Sequence, residues 1–540
     1  MNHSPFTICQ KFRYCVAVIF LISTHAATAQ NAFIPLSNEM EQQYQPFLNR
    51  VGNETHTSLK PFLLKDLQAD TPFDSLNTPE IRDTKFSRTL VGRKLFREHL
   101  LFVEKDDYKL YLDPVLEFAA GKDQDADKNY YYNTRGVWIS GSIGKRFSFN
   151  ATFYENQAKF PSYLDAFVKS TRIVPGQGKV KAKGDKYDYA SATGTINYQL
   201  NKHFTFQFGN DKNFIGDGYR SLLISDNAFN YPFLKIVTDV WKIRYTNIFA
   251  VMQDLSNDDQ RDEEPFLKKY TSMHYLDFNI GKHASIGIFE AVVWNGDSTG
   301  NRGFDINYMN PFIFFRPVEF SIGSPDNVLL GINGKIKLNS KNLLYGQIML
   351  DEFLLNEVKA GNGWWGNKQG LQGGFKSFNV FGIKNLYVQG EMNYVRPFTY
   401  QHRETIGNYG HYRQALAHPL GANFIEGLAI VRYKWKQLEL QVKFNYMEVG
   451  YDTAGLNMGQ NIFLSYNDHY QEYNNKVGQG DKHKIMWTEF RVNYLLNPVS
   501  RLSLFAEASI RKDSYVSGST STMIVQGGIR TWLFNRYYDF

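Results

Sequence analysis

The chain has 540 residues, a mean hydropathy of −0.41 and a formal charge of +7. That charge is small for the length and its basic residues are scattered, which excludes a nucleic-acid-binding surface. Cys9 and Cys15, the only cysteines, lie in the first 29 residues, so the remainder has no thiol for disulfides, zinc–thiolate sites or cysteine catalysis.

Residues 1–29 read as a cleavable signal peptide: Lys11 and Arg13 are basic, Val16–Ile22 is apolar, and Ala27-Thr-Ala29 offers a small-x-small cleavage site. The mature chain is then expected to begin at Gln30, with no cysteine there to carry a lipid anchor. Beyond it no run approaches the roughly 18 uninterrupted apolar residues of a membrane helix. An exported, aromatic-rich chain without a helical anchor is secreted, periplasmic or an outer-membrane barrel.

Residues 30–107 form an N-terminal periplasmic segment, partly helical. Leu36, Met40, Tyr44 and Phe47 recur at helical spacing behind a plausible N-cap, Ser37, and Pro46 should kink or end that helix. Thr55–Phe62 reads as extended chain or loop. A plug-like periplasmic element and a leader packed on a barrel rim both fit this region.

From about residue 108 the pattern has period two. Leu438, Leu440, Val442, Phe444 and Tyr446 alternate with Glu439, Gln441, Lys443 and Asn445, and Leu386–Tyr394 and Phe147–Tyr154 behave alike. Such strands suit a soluble sandwich as well as a barrel. Short hinges at 144–146, 201–203, 281–283, 339–341 and 436–437 and long polar loops at 159–186, 256–271, 354–372 and 399–423 favour the barrel, as does a strand length of about ten residues. The expected fold is therefore all-β: a transmembrane antiparallel β-barrel of about 18 strands over 108–540, in the Gram-negative outer membrane and in contact with its lipid. The aromatic end, with Trp532, Phe534, Tyr538 and terminal Phe540, reads as a final amphipathic strand, Thr522–Phe540.

Residues 213–236 interrupt the alternation as an inserted loop. Asp217, Arg220, Ser225, Asp226 and Asn227 can grip a polar ligand, Gly216 and Gly218 bend the chain, and Tyr219 supplies a flat apolar face. Arg220 suits an acidic glycan because its fork meets a carboxylate in two bonds. Equally, Asp217 and Arg220 could fix the segment's own turns. Trp364 and Trp365, framed by glycines, form a candidate sugar-stacking platform or an interfacial anchor. Tyr130-Tyr-Tyr132 carries the same two readings, the aromatic girdle first.

Asp123–Asp127 begins like a calcium loop but has Lys128 and Thr134 where Gly and Glu are needed, so a solvated loop is expected. Asp258–Glu264 has no ligand spacing and reads as a solubilising face. His402, His411 and His418 share one loop without a catalytic pattern. Neither an enzyme nor a cofactor or metal is expected.

Asn213–Asn227 with Tyr231-Pro-Phe-Leu234, Arg93–Leu100, Asn133-Thr-Arg-Gly136 with Phe153–Gln157, and Ala417–Phe424 together resemble the Wzi-like capsule assembly family, in particular its Bacteroidetes branch described as the gliding-motility protein RemB. The resemblance implies an eighteen-stranded outer-membrane barrel with a periplasmic helical part and, in the capsule branch, a lectin-like role without enzymatic activity. The expected function is binding or organising surface (capsular) polysaccharide, through Asp217, Tyr219, Arg220, Asp226, Asn227, Trp364 and Trp365. The alternatives are a gliding-motility or adhesion component that holds cell-surface proteins, and a solute channel.

Overall fold

The computed structural model describes residues 33–540 except 73–75, 77–83, 257–265, 297–302, 313, 316, 319–320, 322, 324–325 and 532–533. The signal peptide, the acidic run 258–264 and Trp532 lie outside the described residues.

Eighteen antiparallel strands close into one barrel. They are β1 Tyr108–Asp123, β2 Lys128–Ile143, β3 Phe147–Lys159, β4 Lys186–Gln199, β5 Phe204–Asp211, β6 Tyr231–Val240, β7 Ile243–Asp254, β8 Leu267–Ile280 and β9 Ala284–Asn295. There follow β10 Asn327–Lys337, β11 Asn342–Glu352, β12 Lys368–Phe378, β13 Leu386–Val395, β14 Phe424–Trp435, β15 Leu438–Tyr451, β16 Asp481–Asn497, β17 Leu502–Tyr515 and β18 Gly518–Arg530. Closure runs through β18 and β1, from Arg530↔Glu117 to Ile524↔Asp123. It leaves no unpaired edge, the condition for a sheet in hydrocarbon.

The alternation reads inside-out. On β15, Leu440, Val442 and Phe444 are exposed, whereas Gln441, Lys443 and Asn445 are buried in the lumen. The apolar stripe thus faces away from the barrel axis, which is stable only in an apolar solvent. Connections at one end are short, such as 144–146, 241–242, 281–283 and 436–437; those at the other include 160–185, 212–230, 353–367, 396–423 and 452–480. The first is the turn end of the barrel and the second its loop end. No helix among the described residues is long and apolar enough to cross a membrane.

The lumen is filled by chain. From the turn end, helix α1 (Asn38–Gln42) starts under Ser37, whose side chain accepts from the Met40 N–H, and α2 (Gln45–Leu48) carries Pro46 in its first turn. The helical periodicity is thus broken in two at the proline. Leu59–Lys60 then pairs with Phe214–Ile215 inside the barrel, so the N-terminal segment is a plug. Its outer helix α3 (Leu64–Asp70) ties to the wall through Lys65–Asp239 (3.1 Å) and Asp66–Arg244 (2.7 Å).

Three expectations need correction. The insertion ends at residue 230, and Tyr231–Ile236 belong to β6, because Tyr231, Phe233 and Val237 pack inward against the plug. The final strand stops at Arg530; residues 534–540 turn back into the lumen, where Phe534 and Tyr537 are buried and Phe540 packs on Phe167 (5.0 Å). Tyr130 and Tyr132 also point inward, 3% and 7% exposed, and form no girdle. Asp123, the last residue of β1, is fully buried and caps α4 (Ser162–Thr171), accepting from Ser162 N–H (2.9 Å) and Oγ (2.6 Å), while Gln124–Asp127 are exposed, in keeping with a solvated loop.

Candidate functional site

Residues 212–230 descend from the loop end into the lumen and meet the plug midway, where Gly216 N–H donates to Ser58 O (2.7 Å). Gly216 has φ +149° and a Cβ there would lie 2.6 Å from the Gln347 amide, so glycine is required. Beside it Asp217 accepts from Thr57 Oγ1 (2.7 Å) and Asn333 Nδ2 (3.3 Å) and faces Lys335 Nζ (3.4 Å). Burial alone would raise the Asp217 carboxyl, but Lys335 and Lys376 outweigh it and hold it at about 2.

Arg220 is the centre. Its Nη2 donates to Glu426 Oε1 (3.0 Å) on β14 and to Asp539 Oδ1 (3.1 Å) on the C-terminal tail, and its Nε also reaches Glu426 (3.3 Å). Burial disfavours the guanidinium charge, but Asp539 and Glu426 raise its pKa further still. The backbone N–H groups of Tyr219 and Arg220 donate to Glu391 on β13, at 2.7 and 3.1 Å. The Tyr219 ring stands edge-on to Tyr537 (5.5 Å), and its hydroxyl reaches Asp539 (3.3 Å). Asp226 accepts from Tyr537 Oη (2.7 Å) and Asn535 Nδ2 (2.8 Å), while Asn227 Nδ2 donates to Ala415 O (3.0 Å). Asp217, Tyr219, Arg220, Asp226 and Asn227 are 1 to 9% exposed. The structure brings these five together inside the barrel, bonded to plug, wall and tail, and a ligand reaches them only if the lumen opens.

The extracellular-type loop 396–423 roofs this segment. Tyr400 Oη and Tyr409 Oη donate to Leu222 O and Leu223 O, both at 2.7 Å, and Ser225 bonds Leu416 and Ala417. The three histidines of the loop serve separate contacts: His418 Nε2 meets Glu426 Oε2 (2.7 Å), His411 Nδ1 accepts from Gln253 N–H (3.0 Å), and His402 bonds Glu404 backbone.

Trp364 and Trp365 sit elsewhere, on the loop between β11 and β12 at the loop end. Their rings lie 5.8 Å apart, Trp365 stacks on His469 (4.5 Å) of the loop between β15 and β16, and Trp364 Nε1 donates to Glu472 (2.8 Å). Both are half-buried, Tyr466 lies 5.1 Å from Trp365, and Tyr470 and Tyr473, which follow Tyr466 in the same loop, are exposed. Gly363 has φ +70° and lies against Asn475 backbone, which lets the two loops close on one another. The result is an aromatic cluster of Trp364, Trp365, Tyr466 and His469 with the Glu472 carboxylate bonded to Trp364 and His469. Glu391, Glu426 and Asp539 were missed as partners from sequence; the first two are acids at lumen-facing positions of amphipathic strands, a signal present in the pattern.

No protein-family model matches the sequence, and comparison with curated proteins gives no match. Among solved structures, an Escherichia coli protein aligns with TM-score 0.53 and 12% identity over 94% of this chain and 100% of its own; it is described as Wzi, an outer-membrane protein involved in group 1 capsule assembly and a carbohydrate-binding β-barrel. The chain is similar in fold to Wzi. At that identity the likeness to Wzi carries the outer-membrane barrel architecture and nothing finer. Pseudomonas aeruginosa OprD (TM-score 0.40, 12% identity, 80% of this chain and 96% of that one) and OpdK (0.42, 10%, 80% and 100%) align less closely than Wzi.

Proposed function

We propose that this protein is a non-enzymatic outer-membrane barrel that holds surface polysaccharide at its loop end. The observation that carries this reading is the loop-end aromatic cluster of Trp364, Trp365, Tyr466 and His469, with the Glu472 carboxylate bonded to Trp364 and His469, on a barrel whose lumen is occupied by its own chain. Sugar rings stack their C–H faces on such side chains while their hydroxyls meet Glu472, Asp468 and Asn467. The exposed apolar stripe supports insertion in lipid, and residues 1–29 support export. The five buried residues of 213–236 hold the plug closed beneath this surface and contribute to glycan contact only when the roof loop lifts.

The test is binding of surface polysaccharide from the producing cells to the purified barrel. Trp364→Ala with Trp365→Ala should abolish retention while the barrel stays folded; undiminished binding by that variant removes the site. The resemblance to the RemB branch keeps a second partner in view, a surface protein of gliding or adhesion. In-cell crosslinking that recovers only proteins, with capsule intact in a deletion strain, would favour that reading.

A further inference from the structure

The turn end carries a charge pattern that the loop end lacks. Eight hinges join neighbouring strands there: 144–146, 200–203, 241–242, 281–283, 338–341, 379–385, 436–437 and 498–501. Each contains at least one lysine or arginine, and none contains an aspartate or glutamate. Over the whole chain the two signs are nearly even, 60 basic residues against 53 acidic, so a single sign at every hinge departs from the chain's composition. The loop-end connections mix the signs, as at Arg403 and Glu404. Nearby acids lie outside the hinges: Asp239 is engaged by Arg244 (2.6 Å) and Lys65 (3.1 Å), and Asp106 and Asp107 occupy the turn that leads into β1.

The cations also share a depth. In Ile143-Gly-Lys145, Val240-Trp-Lys242 and Ile280-Gly-Lys282 the basic residue follows by two positions an exposed apolar side chain at the end of the outward stripe. A strand advances about 3.3 Å per residue, so each lysine starts roughly 7 Å beyond the last apolar side chain. The headgroup layer outside the hydrocarbon is itself roughly 5–8 Å thick on each side. Trp241 and Trp435 mark the same layer: they are 79% and 59% exposed, with Lys242 Nζ and Lys436 Nζ 5.7 and 5.6 Å from their ring centroids. An exposed indole beside a cation is the arrangement of a membrane–water boundary.

The complement of such a collar is a lipid that brings net negative charge to the phosphate level. A zwitterionic headgroup carries its own ammonium, which competes with the lysines, whereas an anionic one does not. A polyanion beneath the barrel would meet only its end face, but these residues border the apolar stripe around the wall. We propose that the turn end selects anionic glycerophospholipid, of the phosphatidylglycerol type, for the leaflet around it, whatever the loop end holds.

The test reconstitutes the full chain in phosphatidylcholine bilayers. Electron paramagnetic resonance then reads how much spin-labelled phosphatidylglycerol or phosphatidylcholine is immobilised at the barrel surface. Phosphatidylglycerol should be favoured about threefold at low salt, and the preference should shrink at 1 M salt, where charges act over only about 3 Å. Lys202, Lys282, Lys341 and Lys436 are exposed at the turn end, and replacing all four by glutamine should bring the ratio close to one. The same replacement of Lys181, Lys268, Lys359 and Lys476, exposed at the loop end, should leave it unchanged. The proposal is overturned if the parent immobilises both lipids equally, if salt has no effect, or if the loop-end variant loses the preference as fully as the turn-end one. It is also overturned if the parent shows no lipid preference but sediments with peptidoglycan, which would set the collar against an anionic polymer.

Discussion

Arg220 and Asp539 stand 319 residues apart in the chain, yet their guanidinium and carboxylate meet at 3.1 Å in the middle of the lumen, each 1% exposed. With Glu426 on the wall they tie together the inserted segment, the C-terminus and β14. Removing one partner of such a group leaves the others charged and buried. Arg220→Ala is expected to destabilise the plug by about 3–5 kcal/mol, and Arg220→Lys by less, since a point charge survives without the fork. Protease susceptibility of 212–230 in the folded barrel measures it; a variant as resistant as the parent would show that Arg220 is not the tie.

The tail itself is the second lever. β18 ends at Arg530 and Thr531 continues the seam by donating its N–H to Leu116 O of β1 (2.9 Å), whereas residues 534–540 bond inward through Asn535, Tyr537 and Asp539. Deleting 532–540 should leave a closed barrel after refolding in detergent and widen the lumen along β15–β18. Planar-bilayer conductance should rise above a nearly silent parent. An unchanged trace would mean that the N-terminal plug and 212–230 seal the lumen alone.

The roof loop should respond to acid. His411 lies between Gln253 and Asn230; burial, aided by the charges of Lys269 and Lys212, depresses its pKa from 6.5 to about 3. An imidazole held neutral in the fold and free to charge in the unfolded chain stabilises fully above about 6.5, and that stability is lost as pH falls toward 3. Amide protection factors over 405–420 and 222–227, taken relative to the intrinsic exchange rate at each pH, should therefore fall from pH 7.5 to pH 4.5, and His411→Asn should shrink the difference. Equal protection factors at both pH values in the parent would contradict it.

How far the sequence carries depends on which side of the wall a residue faces. Around β13–β16 the lumen side is polar, so the alternation of Leu440, Val442 and Phe444 with Gln441, Lys443 and Asn445 is plain, and the hinges at 144–146, 281–283 and 436–437 follow from it. Around β6–β9 the inner face is itself apolar: Phe233, Val237, Ile248, Ala250, Met273 and Phe289 pack on Leu222, Leu223 and Ile224. With both faces apolar the period disappears, which is why the start of β6 read as part of the insertion. Ser37 and Pro46 act within a few residues and were legible. The pairing of Asp539 with Arg220 was not, because nothing local distinguishes an inward tail from an aromatic last strand. The same holds for Tyr130 and Tyr132, whose side depends on strand register.

That dependence on facing gives the last prediction. Phe444 and Lys443 are neighbours at mid-length of β15, the first 37% and the second 5% exposed. An arginine at 444 would project away from the barrel axis, and if that surface meets hydrocarbon, Phe444→Arg should cost about 2–4 kcal/mol in lipid. Lys443→Met removes a charge that faces Glu489 and Asp539 at 3.0 and 3.2 Å, so its cost should come from the stranded carboxylates and not from the bilayer. Unfolding in bilayers of decreasing thickness separates the two: the Phe444→Arg penalty should fall as the membrane thins, and the Lys443→Met penalty should stay constant. A thickness-independent penalty at Phe444 would mean that this face packs against protein, and the membrane assignment of β15 would fail with it.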